Sequence, residues 1–111
     1  MTTALNPDKL EFSYNWNNKL DCTYFTTLRL SGRFKEGDVV EIWEKKLFKG
    51  EGRIVKKRAI MLKDITDVAA YLDTGYNAEE TRNIIKKMYP KITNWDAQTI
   101  YYYLIHKTAR I

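Results

Sequence analysis

The apolar residues of this chain change their period once, near Lys63, and the change sets the order in which strands and helices must follow one another. Before it, Leu10, Phe12, Tyr14 and Trp16 alternate with Glu11, Ser13 and Asn15, the period-two pattern of a half-buried strand. Ser31 to Asp38 is turn chemistry, and Val39 to Trp43 follows as a β-prone run. Lys45-Lys46 turns the chain, and Leu47 to Lys57 returns as its partner. Gly50 and Gly52, two apart within that partner, mark a bulge or sharp bend of a closing barrel.

After Lys63, Ile65, Val68, Ala69 and Leu72 fit the i, i+3, i+4, i+7 template of a short amphipathic helix. Asp64 is its expected N-cap and Gly75 its left-handed stop. A second helix starts at Asn77, where Glu80 completes a capping box, and must end before Pro90. Ile84, Ile85, Met88 and Tyr89 form its expected buried face. Ile92 to Gln98 is an irregular link, and Thr99 to Ile105 is a nearly continuous apolar run, hence a central strand. Within its tyrosine triplet Tyr102 points away from Tyr101 and Tyr103, so the triplet packs rather than forming one stacking platform. His106 is expected just past the strand, at the surface. Together these elements predict an α+β fold: a small, partly open β-barrel with two helices inserted before the final strand.

At 111 residues the chain is long enough for one core, with 1–9 read as a flexible lead, 10–107 as the domain and 108–111 as a tail. One cysteine, Cys22, excludes an internal disulfide, and a single histidine leaves no zinc-like ligand spacing, so neither metal nor cofactor is expected. With no apolar run of membrane length and no signal-like start, the expected compartment is the cytoplasm. Eight basic residues between Lys45 and Lys63 face Glu51 alone, a local charge of +7 in a chain of net +5. Such a band suits a polyanion, and its lysines also serve to keep an exposed strand edge from aggregating.

The densest chemistry lies between Trp16 and Arg29. Trp16 and Leu20 are spaced as on one helical turn, whereas Thr26 to Leu30 favours extension, so a helix-to-strand corner is expected here. Corners of this kind gather hydroxyls, amides and a guanidinium at the rim of a sheet.

The order and content of Phe12 to Arg29, Phe34 to Val40, Ile84 to Pro90 and Tyr102 to Ile105 resemble an ASCH domain of the PUA-like superfamily over roughly residues 10 to 107. The resemblance implies a barrel of five or six strands, related to RNA-binding folds, with a cleft between barrel and helix. The family signature Gly-x-Lys-x-x-Glu-x-Arg, with Thr for Glu in one branch, falls on Cys22, Tyr24, Thr27 and Arg29. Thr27 and Arg29 match; the glycine and lysine do not. That branch is similar to small bacterial amidohydrolases acting on acetylated cytidine through a lysine, a threonine and a later glutamate, whose position here is Thr74, next to Asp73.

A neutral tyrosine is a poor base, so the expectation is an ASCH-like domain that binds RNA or a nucleotide rather than a proven enzyme. In it Arg29 meets a phosphate or base edge, Thr26 and Thr27 donate hydroxyl hydrogen bonds, Tyr24 or Tyr76 offers a stacking face, Asp73 lines the cleft, and Lys56, Lys57 and Arg58 attract phosphate. The alternatives are an amidohydrolase with a modified catalytic set of Thr27, Asp73 and Lys19, and an interaction module with no small ligand.

Overall fold

A computed structural model describes residues 8–109, with the side chains of 8, 16, 17 and 109 outside that description. Five strands form one mixed sheet: β1 (Asp8–Phe12), β2 (Tyr24–Arg29), β3 (Val39–Glu44), β4 (Leu47–Met61) and β5 (Thr99–Ala109), in the order β1-β3-β4-β5-β2. β1 runs parallel to β3, and the other three pairings are antiparallel. The sheet curls into a half-barrel that stays open between its end strands, β1 and β2. Two helices, α1 (Asp67–Thr74) and α2 (Ala78–Met88), lie between β4 and β5 in sequence, as the change of period requires.

The bend in β4 comes from where the two glycines lie. Gly50 has φ of 128°, a conformation closed to other residues, beside a register shift against β3. At Gly52 a Cβ would sit 2.8 Å from Ile105 Cγ2, so only glycine lets β5 approach this closely. A second shift, between Ile54 and Lys56, adds further curvature. The concave face holds the main core, which includes Leu10, Phe25, Phe34, Ile42, Ile54, Tyr103 and Ile105. Tyr103 is fully buried and donates its hydroxyl to Ser31 O at 2.7 Å, in line with the packing expected of the triplet. On the opposite face Leu28, Ile60 and Ile100 meet the two helices in a second cluster.

Several local expectations are corrected. β1 begins at Asp8, inside the stretch read as a lead; the rest of that stretch, 1–7, lies outside the described residues. The alternation of β1 stops at Phe12, leaving Tyr14 exposed. His106 belongs to β5, half-buried and stacked on Tyr24, rather than lying past the strand.

The larger correction concerns α1. Its N-cap is Thr66, whose hydroxyl accepts from Ala69 N, while Asp64 closes a separate 3-10 turn, Leu62–Asp64. Its buried face is Ala70, Asp73 and Thr74; Val68 and Leu72 are 69% and 57% exposed. The template matched the apolar residues, but α1 packs on the corner and β2 with its small and polar side, where Asp73 meets Lys19. α2 is capped as expected, with Asn77 accepting from Glu80 N and Glu80 from Asn77 N. It buries Ala78, Thr81 and Ile85, while Ile84 is half-buried and Met88 exposed.

Candidate functional site

The predicted corner forms as a 3-10 helix, Trp16–Asp21, leading into β2. Asn15 Oδ1 receives Leu20 N at 2.9 Å, Leu20 is fully buried, and Lys107 Nζ donates to Leu20 O at 2.8 Å, so the turn is fixed from both sides. A tight turn anchored at Leu20 swings the preceding side chain inward. Lys19 is therefore 4% exposed, with its ammonium paired to the Asp73 carboxylate of α1 and 5.1 Å from the Phe12 ring centroid.

Lys19 and Asp73 open into a cleft of about 460 Å³ at the open seam of the half-barrel. β1 and the residues after it supply Glu11, Phe12 and Tyr14; β2 supplies Thr27, Leu28 and Arg29; the helices supply Asp73, Thr74, Ile84, Ile85 and Met88. Arg29 bridges the seam. Its Nη2 donates to Glu11 O at 2.6 Å, its Nε to Thr27 Oγ1 at 3.3 Å, and its guanidinium carbon stands 4.5 Å from the Phe12 ring centroid. Two of these contacts join the ends of a sheet that no backbone ladder joins.

The electrostatics follow from burial. Desolvation lowers the Lys19 pKa, against the raising effect of Asp73, and Arg29 lowers it further. Desolvation likewise raises the Asp73 carboxyl, with Lys19 and Arg29 acting the other way. Burial thus moves both partners toward their neutral forms, so Lys19 is more readily present as a free amine than a surface lysine is. Arg29 is also lowered by burial and remains charged in practice.

Of the sequence candidates, Lys19, Thr27, Arg29 and Asp73 line this one cleft, although Lys19 and Asp73 are 54 residues apart. Thr74, the position to which the resemblance assigned a glutamate, also lines it, with its hydroxyl 2.8 Å from Thr81 Oγ1. The other candidates are elsewhere. Tyr24, matched to the family's lysine, lies at the far end of β2, 56% exposed. Thr26 is buried on the opposite face of β2, among the residues that face Tyr102. Tyr76, Lys56, Lys57 and Arg58 do not line the cleft. Lys57 shares the face of Tyr103 and reaches Gly32 O, whereas Lys56 and Arg58 share the face of Leu104 and Tyr102. Sequence reading missed the apolar wall of Ile84 and Met88, because a template for buried residues does not separate a core from a cleft.

No family model and no curated protein matches this sequence. Among solved structures it is similar to the crystal structure of protein EF3133 from Enterococcus faecalis, described under the family model DUF984. The match has a TM-score of 0.70 at 11% identity and covers 98% of this chain and 84% of that one. At such identity the likeness is one of fold. The chain therefore has an α+β half-barrel with two helices between its last two strands, consistent with a PUA-like fold.

Proposed function

We propose that the seam cleft binds a small acylated nucleoside and hydrolyses its amide. The observation that carries this reading is a buried Lys19–Asp73 pair opening into the same cleft as the Thr27 hydroxyl. A folded protein keeps two charges out of water at a cost, and a buried lysine with a lowered pKa is a familiar form of catalytic base. The resemblance assigns the lysine's role to the position of Tyr24; in the cleft itself the amine is that of Lys19.

In the proposed reaction the neutral Lys19 amine takes the Thr27 proton as the hydroxyl oxygen attacks the amide carbonyl. The tetrahedral oxyanion is balanced by Arg29. Collapse breaks the C–N bond, Lys19 returns its proton to the leaving amine, and water then hydrolyses the acyl-threonine ester to release the carboxylic acid. Asp73 orients Lys19 and balances its charge while it holds the proton. The cleft is sized for a nucleoside, while Lys56 and Arg58 lie on another face, which favours a small ligand here over a length of RNA.

The test is release of acetate from acetylated cytidine. Turnover by the native protein is expected, with a loss of about 10²–10⁴-fold in Thr27→Ala and in Lys19→Arg, which keeps the ion pair but has no usable base. No turnover by the native protein, or full turnover by Thr27→Ala, would exclude the mechanism.

A further inference from the structure

The seam that opens the cleft is also where the sheet's hydrogen bonding runs out, and side chains answer the edge that is left. β1 is paired on one side only, through its parallel ladder to β3, so its other edge presents backbone groups that no strand meets. Carbonyls two residues apart on a strand point to the same edge. Those of Lys9 and Glu11 each receive a guanidinium: Arg33 Nη2 donates to Lys9 O at 2.9 Å and Arg29 Nη2 to Glu11 O at 2.6 Å. Each guanidinium also stands by a phenylalanine ring, Arg33 4.6 Å from the centroid of Phe34 and Arg29 4.5 Å from that of Phe12. Among the described residues neither arginine has a carboxylate within 4.0 Å. Two like charges, near enough for Arg33 to lower the Arg29 pKa, are thus spent on neutral carbonyls of one strand.

We infer that Arg33 is a positioning residue for the cleft: with Arg29 it clasps the free edge of β1 and, through that strand, fixes Phe12 and Arg29 at the site. The kinetic consequence rests on the amide-hydrolysis reading, whereas the clasp itself does not. Arg33 does not line the cleft, but Glu11 and Phe12 of the strand it holds do. The Phe12 ring lies against the Lys19 ammonium, 5.1 Å from its centroid, and Arg29 takes its bearing from Glu11 O. Release of β1 at Lys9 shifts both, and a misplacement of about 1 Å is enough to slow a reaction about a hundredfold. Arginine suits the task because its planar fork donates hydrogen bonds while its face rests on a ring, which a lysine does less well.

The experiment compares Arg33→Ala, Arg33→Lys and, as a control, Arg53→Ala, whose guanidinium bonds Gly37 O away from the cleft. Amide hydrogen exchange in β1 should rise about tenfold in Arg33→Ala while β4 and β5 keep their protection, since local opening follows the contacts of one element. The Arg29 Nε–H signal in NMR should lose its protection at the same time. With acetylated cytidine, kcat should fall about tenfold at nearly constant KM, because Arg29 serves the transition state. Arg33→Lys, which keeps one donor for Lys9 O, should recover most of each loss, and Arg53→Ala should cause none. In the unaltered protein, where no folding defect enters, NMR should find slow rotation of both clasping guanidinium groups. Free rotation of Arg33 would overturn the clasp, as would unchanged exchange in β1 of Arg33→Ala or a rise spread over the whole sheet. A loosened β1 with undiminished kcat would overturn the positioning role. Absence of turnover in the native protein, with the expected changes in β1 exchange and the Arg29 signal, would sink the hydrolase reading and uphold the clasp.

Discussion

The half-barrel core and the seam beside it are buried to similar degrees but built from opposite materials. In the core, Leu10, Ile42, Ile54 and Ile105 are essentially inaccessible and wholly apolar, and each stabilises the fold simply by leaving water. A few ångströms away in the fold, Lys19, Thr27 and Asp73 are about as hidden, and two of them are charged groups held against desolvation. Replacing a buried ion pair by apolar residues is often neutral or stabilising, so folding alone gives little reason for its presence. The contrast separates what holds the molecule together from what it keeps available for chemistry.

The largest effect on this contrast should come from breaking the pair on one side. Lys19→Met strands the Asp73 carboxylate and is expected to cost about 3–5 kcal/mol at neutral pH, measured by urea denaturation. Lys19→Met with Asp73→Asn should recover most of that loss. The carboxyl's folded pKa is raised above its ordinary 3.8, so its charge penalises folding above the folded value and ceases to do so as pH falls below 3.8. The gap between the single and double variants should therefore narrow from pH 7 toward pH 4. A gap constant with pH would mean that Asp73 is not the stranded charge.

In the core, Ile105→Ala should cost about 2–5 kcal/mol through a cavity. Unlike the seam variants it should leave turnover per folded molecule intact, and loss of chemistry in step with stability would merge the two regions. The smallest effect is expected on the outer side of α1, where Leu72→Ser should change stability by no more than about 0.5 kcal/mol. A large loss there would restore the apolar face that the sequence template proposed.

How much was legible in advance follows the same division. The capping box of Asn77 and Glu80, the stop at Gly75, the turn at Lys45-Lys46 and the bend at Gly50 and Gly52 depend on residues a few positions apart, whose backbone preferences and hydrogen bonds are fixed by local geometry. The Trp16 to Arg29 corner and the central final strand were readable for that reason, as was the presence of Thr27, Arg29 and Asp73 among the candidates. What tertiary packing alone decided is which faces met. The helix α1 turned Asp73 rather than Leu72 inward, toward the corner that holds Lys19. The cleft exists because the sheet leaves its end strands unpaired, and the stack of Tyr24 on His106 exists because antiparallel register set two distant residues side by side. Local offsets are written into a sequence, whereas contacts between distant segments depend on how every intervening element packs, and the residues proposed for chemistry meet only through contacts of the second kind.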